Sequence, residues 1–233
     1  MIGRDVYRSG RYVEHFRPED DHNPLRAVYG AKRGDVISSV RGTLAPGGTV
    51  LDVGGGPGRM AVPLARDHRV TLADVSAEML RIAQAAAVEA AVPPGNLTLS
   101  ELDAGRPLPF PDAGFDRGLC IDLLVHLSQP VGLLRELRRV LRSGGELLVD
   151  MTNRSPWWIL RYPRALGRRP ARWPATWRAG GVPPEWQESV RHYSYAEYRE
   201  MLAAARFEVV QEWRYGPAWC PMWVLTRCRP MAD

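Results

Sequence analysis

Between residues 50 and 60 the chain reads Val-Leu-Asp-Val-Gly-Gly-Gly-Pro-Gly-Arg-Met, an apolar stretch that runs into four glycines. Gly54, Gly55, Gly56 and Gly58 allow a backbone to turn tightly and to approach a ligand closely. A helix expected over 57–65 offers unpaired N–H groups to an anion. Four glycines are more than a tight turn alone requires. The spacing is not a dinucleotide fingerprint: counted from Gly54, G-x-G-x-x-G needs glycine at 59, where Arg59 stands. No Gly-Lys-Ser/Thr follows, which excludes a Walker A loop. Asp74 lies 22 residues after Asp52, where a carboxylate can accept hydrogen bonds from both ribose hydroxyls. Asp103 closes the third expected strand, further along the crevice that an open parallel sheet forms at its carboxyl ends.

Placing these residues takes a particular frame. Short apolar strands are expected over 50–53, 70–73, 97–102, 115–121 and 146–151. Between them, 57–65, 77–90 and 130–141 read as helices, with Met79, Leu80, Ala83 and Ala87 on one face of the second. Alternating strands and helices of this length indicate βαβ units and a parallel sheet. Upstream, Asn23-Pro24 is a helix start, and Leu25, Val28, Tyr29, Val36, Ile37 and Val40 follow at helical spacing until Gly47-Gly48. Downstream, Ser194-Tyr-Ala-Glu197 is a capping box opening a helix to about 205. Strands over 207–215 and 221–227, joined by a short connection, form an antiparallel hairpin.

With LDVGGGPGRM, LADVSAEMLRIAQ, LPFPDAGFDRGLCIDLLVHL and LLRELRRVLRSGGELLVD in this order, the chain resembles a class I S-adenosylmethionine-dependent methyltransferase. It is most similar to the small-molecule branch that serves quinone and natural-product biosynthesis. The resemblance implies an α/β Rossmann-like fold, a seven-stranded mostly parallel sheet with a C-terminal antiparallel hairpin. It implies S-adenosylmethionine as cofactor, with Gly54, Gly55, Gly56 and Gly58 around its amino-acid end and Asp52 orienting the ammonium group. Asp74 takes the ribose diol, and Val75 and Met79 pack on the adenine. Asp103, with Leu102 and Ala104 beside it, accepts from the adenine amine, and Cys120 lines the pocket. As in related enzymes, Tyr7, Tyr12 and His15 lie on an N-terminal segment that folds over the cofactor. Met79 and Cys120 also suit plain core positions. The expected division is a helical lid segment at 1–46, a cofactor-binding core at 49–151, an inserted cap at 152–192 and a closing helix and strand pair at 193–228.

Methyl transfer is an in-line displacement with a neutral thioether leaving group. The protein must hold the acceptor behind the methyl, and such positioning supplies roughly 7–11 kcal/mol. A base adds about 10²–10⁴-fold for a hydroxyl acceptor. Asp122 and His126, in Cys-Ile-Asp-Leu-Leu-Val-His after the fourth strand, are candidates for base or substrate contact, and so is His192. The family often carries His-His where this chain has Val125-His126. Asp122 with Asp150-Met-Thr-Asn153 also offers hard oxygen ligands for Mg²⁺. A third carboxylate is not evident, so no metal is assigned. The fourth strand lacks the Asn/Asp-Pro-Pro-aromatic sequence of enzymes that methylate exocyclic amines of bases.

The segment 152–192 breaks the strand–helix rhythm with Trp157, Trp158, Trp173, Trp177 and Trp186, and with eight arginines against Glu185 and Glu188. It reads as a cap over the site, fit for a flat apolar substrate, with arginines able to clamp an anionic group. Composition restricts the alternatives. The formal charge of +5 permits an anionic partner without requiring one, and no nucleic-acid module is present. The chain has 30 arginines and one lysine, Lys32, an imbalance that fits a GC-rich genome. Cys120, Cys220 and Cys228 form no CxxC pair and point to a reduced, cytoplasmic setting. No apolar run reaches transmembrane length. The expectation is an enzyme that methylates a small aromatic or polyketide-like metabolite at oxygen. N- or C-methylation, a non-catalytic cofactor-binding subunit and a homodimer stay open.

Overall fold

The computed structural model describes residues 26–153, 191, 193–216 and 221–232. The expected lid residues Tyr7, Tyr12 and His15, nearly all of the expected cap and His192 lie outside the described residues. The elements run α1 (Arg26–Thr43), β1 (Thr49–Val53), α2 (Ala61–Leu64), β2 (Arg69–Asp74), α3 (Ala77–Glu89), β3 (Leu97–Glu101) and β4 (Phe115–Cys120). A 3₁₀ turn (Leu124–His126), α4 (Pro130–Val140), β5 (Leu141–Thr152), α5 (Tyr195–Ala204), β6 (Phe207–Tyr215) and β7 (Trp223–Pro230) complete the order.

The seven strands lie in the order β3-β2-β1-β4-β5-β7-β6. The first five are parallel and β7 is antiparallel to both β5 and β6, as the expected hairpin requires. Strand order reverses between β1 and β4, the switch point at which an open α/β sheet leaves a crevice outside its carboxyl ends. Alternation along each strand sends side chains to two separate cores. Leu51, Val53, Leu147 and Val149 meet α4 and α5 on one face. Val50, Leu72, Leu119 and Leu148 meet α1, α2 and α3 on the other. This is the doubly wound Rossmann-like arrangement expected from the sequence.

Local chemistry sets the ends of the elements. Ser76 caps α3 by accepting from the Met79 N–H, and Pro130 stands in the first turn of α4. The Ser194–Glu197 capping box closes in both directions at α5. Two expectations need correction. The helix after the glycine loop covers only Ala61–Leu64, because Gly58 sits at φ +79° and turns occupy 57–60. A four-residue helix cannot serve as the anion-binding terminus foreseen for 57–65. β5 begins at Leu141 rather than 146: Leu141 already pairs with Phe115, and the register then shifts so that Arg117 faces Glu146. Gly144, at φ +76°, accommodates that irregularity.

Candidate functional site

The carboxyl ends of β1, β2 and β4 converge on the glycine loop. Asp52 is 1% exposed, directly beneath the loop. A Cβ at Gly55 would lie 2.6 Å from the Asp52 carboxylate, so only glycine lets the loop pass over that acid. Gly56 sits at φ +53° with no heavy atom within 4 Å of where its Cβ would be. Its backbone therefore needs glycine for conformation and faces open space. Asp52 Oδ2 is buried with no hydrogen-bond partner. Burial, and then the charge of Asp74, push this carboxyl from 3.8 up to about 7, against the Ala61 N–H that stabilises the ion. A buried acceptor without a donor is costly.

Asp74, at the end of β2, accepts from the Gly56 N–H and the Ser76 N–H, each at 2.9 Å. It thus joins the loop to the start of α3. Burial raises its carboxyl above the usual range, and those N–H groups oppose the shift. Asp103 stands two residues beyond the end of β3 rather than closing it, and its Oδ1 accepts from Gly105 N–H at 2.9 Å in a local turn. Val75, Met79 and Ala104 are buried nearby in sequence, and Leu102 packs at the edge of the core. Cys120 is fully buried, and burial first of all lifts its thiol well above the ordinary range. It is a buried core thiol, not a nucleophile.

On the other side of the switch point, the sequence candidates Asp122 and His126 share the loop after β4. Asp122 takes φ +55°, unusual for a side-chain-bearing residue. Its side chain is 36% exposed. Burial raises its carboxyl, but the Lys32 ammonium, through its charge and its hydrogen bond, brings it below the usual carboxylate range. His126 closes the 3₁₀ turn, and the Arg191 N–H donates to the Val125 carbonyl at 2.6 Å. The chain therefore returns to this loop immediately before position 192.

No motif in the sequence marks Lys32 or Tyr29 as a site residue, and Asp150 stands out there only as a possible metal ligand. Lys32 heads the inward stripe of α1 (Lys32, Val36, Ser39, Val40) and is 1% exposed. Its ammonium donates to Asp122 at 2.6 Å and to Asp150 at 2.5 Å. Asp150 Oδ1 also accepts from the Asp122 N–H at 2.6 Å. Burial and then the Asp122 charge push Asp150 up to about 7, despite the lysine. Burial acts to lower the Lys32 pKa, but the two carboxylates outweigh it and hold the ammonium above its ordinary range. Tyr29, one turn before Lys32, places its ring 5.4 Å from that ammonium, and burial raises its phenol to about 12. Among the described residues no group of three His, Cys, Asp or Glu side chains could hold a metal. The two carboxylates weighed as metal ligands enclose an ammonium instead. The signal in the sequence was the uniqueness of Lys32.

A glycine loop over one buried acid, a second acid at the end of β2 and this strand order define the class I S-adenosylmethionine-dependent methyltransferase fold. Residues 50–145 match the model of a methyltransferase domain family. A curated relative, the ubiquinone biosynthesis O-methyltransferase of Xanthomonas campestris pv. campestris, is 30% identical over 135 residues, 58% of this chain and 52% of its own. The chain thus spans about half the length of the curated relatives it matches. Magnesium protoporphyrin IX methyltransferase from Synechocystis PCC 6803, solved with bound SAH, superposes with TM-score 0.73 at 18% identity over 98% of each chain. The [4+2]-cyclase SpnF superposes with TM-score 0.63 at 24% identity, over 87% of this chain and 82% of its own. One fold thus carries differently named activities, and the reaction has to be argued from the site. No described helix is long and apolar enough to cross a membrane.

Proposed function

We propose that this protein transfers a methyl group from S-adenosylmethionine to a hydroxyl of a small molecule, an aromatic or quinol-type metabolite, in the cytoplasm. The observation that carries the reading is Asp52: a buried carboxylate oxygen without a donor, beneath a loop that only glycine permits. Such a site fits a ligand with an ammonium group. The Asp74 carboxylate fits a ribose diol. Gly54, Gly56 and Gly58 would surround the amino-acid end, and Val75, Met79, Asp103, Leu102 and Ala104 the adenine. The cofactor supplies an activated methyl group whose departure needs no acid. The oxygen acceptor is favoured by the names of the curated relatives and by Asp122, an ionised and partly exposed carboxylate at the end of β4. Asp122 accepts the hydroxyl proton. The lid at 1–46, the cap at 152–192 and the place of Tyr12 and His192 in them belong to this proposal. The buried free thiols Cys120 and Cys228 suit a reducing compartment.

Calorimetry with S-adenosylmethionine and with NAD tests the cofactor. Only the first should bind, and Asp74→Ala and Asp103→Ala should each weaken it at least tenfold, the loss of a charge-assisted hydrogen bond. Unchanged affinity in both variants, or NAD binding to the wild type, refutes the proposal.

A further inference from the structure

Asp122, two residues past β4, and Asp150, near the carboxyl end of the neighbouring β5, present hard carboxylate oxygens to one point, the donor type that a small divalent cation takes. That point holds the Lys32 ammonium, within 2.6 Å of both acids. The cation has no route to solvent: Lys32 and Asp150 are each 1% exposed, and only Asp122 reaches the cleft, at 36%. Two adjoining carboxylates without a cation could not both ionise in such a place. Burying an ammonium is itself expensive unless it is fully paired. The three groups therefore form one hydrogen-bonded unit, a single ammonium shared by two carboxyl groups, with one exposed face.

We propose that Lys32 is the fixed cation of the methyl-acceptor pocket: in the place a divalent metal could take, it holds Asp122 ionised and turned toward the acceptor. This rests on the methyltransferase reading and deepens it. Lys32 is a positioning residue, since its ammonium is sealed behind Asp122 and Asp150 and touches no ligand. The left-handed backbone at Asp122 belongs to the same device. It turns the Asp122 N–H onto Asp150 while the side chain meets Lys32, and strain of this kind persists only where the surroundings impose it.

The arrangement also selects the acceptor. Lys32 spends its charge on two carboxylates, so the exposed face of the unit is a hydrogen-bond acceptor with negative charge. A carboxylate acceptor is repelled there, and an O–H donor is welcomed. In the transfer the acceptor oxygen would bond the methyl carbon as the carbon–sulfur bond breaks with its electron pair leaving on the neutral thioether sulfur; the acceptor's O–H bond breaks, its electron pair stays on oxygen, and the proton goes to the Asp122 carboxylate.

The test is Mn²⁺ binding, followed by electron paramagnetic resonance, to wild type, Lys32→Ala and Lys32→Ala combined with Asp150→Asn. S-adenosylmethionine carrying a ¹³C-methyl group is added to each, and its affinity is measured by calorimetry. Lys32→Ala should bind Mn²⁺ at least tenfold more tightly than wild type, the combined variant should lose that gain, and cofactor affinity should stay within about twofold. The bound Mn²⁺ should also speed relaxation of the ¹³C-methyl resonance, which a lysine serving only to hold the fold together would not produce. Should Lys32→Ala fail to fold in metal-free buffer, Mg²⁺ should restore folding and the combined variant should fold without it. No gain in Mn²⁺ affinity, no relaxation of the methyl signal, or no rescue by Mg²⁺ overturns the assignment of Lys32. A wild type that binds no S-adenosylmethionine sinks the methyltransferase reading instead.

Discussion

Asp52→Asn should make the protein more stable at pH 8 and a poorer cofactor binder. In the fold this carboxyl is pushed from 3.8 to about 7, chiefly by burial. The folded state thus binds a proton that the unfolded state has released throughout the window between about pH 4 and 7. Stability contributed by Asp52 is full below that window, falls as pH rises through it, and stays low above it. At ~1.4 kcal/mol per tenfold change in proton affinity, the deficit at pH 8 is on the order of 4 kcal/mol as an upper bound. Asparagine keeps the shape and the acceptor that faces the Ala61 N–H, and it removes the charge. Its amide group brings an unmatched donor in place of Oδ2, a cost of about 1–3 kcal/mol. The net expectation is a gain on the order of 1–3 kcal/mol at pH 8 and a loss of about 1–3 kcal/mol at pH 4, where the wild-type carboxyl is already neutral.

Urea unfolding of wild type and Asp52→Asn at pH 4, 6 and 8 measures this as a difference of differences, which cancels every group that titrates alike in both. The same pair, titrated with S-adenosylhomocysteine at pH 8, should differ in affinity by roughly 10–100-fold, because a charge-assisted bond to the ligand ammonium is worth ~1.5–3 kcal/mol. A variant less stable than wild type at pH 8, or with unaltered affinity, refutes the idea that the ion is kept at the expense of stability for the sake of a ligand.

Two other expectations follow from the geometry. Gly55→Ala should cost more stability than Gly56→Ala in the same urea assay. The first forces a Cβ to within 2.6 Å of Asp52 and 2.8 Å of Leu72, whereas the second meets nothing and bears only a left-handed backbone strain of about 1–2 kcal/mol. Ser194→Ala should lower stability by about 1 kcal/mol through loss of the capping box and leave S-adenosylhomocysteine affinity unchanged, since α5 packs on the face away from α1–α3.

What the sequence disclosed was whatever short-range chemistry controls. The strand–helix alternation, the Ser194–Glu197 cap and the antiparallel closing pair all rest on contacts between residues close in the chain. Asp52, Asp74 and the glycines were legible because one loop and the adjoining strand bring them together. The helix after the loop was overextended because Pro57 and Ala61–Ala65 look helical, while Gly58 adopts a backbone that no periodicity reveals. Asp103 reads as a strand-end acid, yet its own turn draws it past the strand. The partners of Lys32 lie 90 and 118 residues away. On an isolated helix a lysine at that position reads as a gap in the apolar stripe, and only the docking of α1 across the ends of β4 and β5 turns it inward.

Lys32 stands out for a reason that composition supplies. Thirty of the chain's 31 cationic side chains are arginine, so at solvated positions the chain overwhelmingly uses the guanidinium. Five described arginines fit that pattern, Arg41, Arg142, Arg199, Arg214 and Arg229, which make ion pairs with more than two-fifths of the side chain exposed; Arg117, buried beside Glu146, has only that one carboxylate as ion-pair partner. Such pairs are worth little singly, and either cation would serve. Between Asp122 and Asp150 the requirement is different. A guanidinium is a flat fork with five donors spread across its plane and demands room for bidentate partners. The space at the ends of β4 and β5 admits one compact group that reaches two carboxylates at 2.6 and 2.5 Å from a single nitrogen. An ammonium on a long apolar stem meets that geometry while its methylenes complete the inward stripe of α1. The exception in composition thus coincides with the one described cation that is both sealed from solvent and bonded to two acids, which is where a site-specific demand overrides a genome-wide preference.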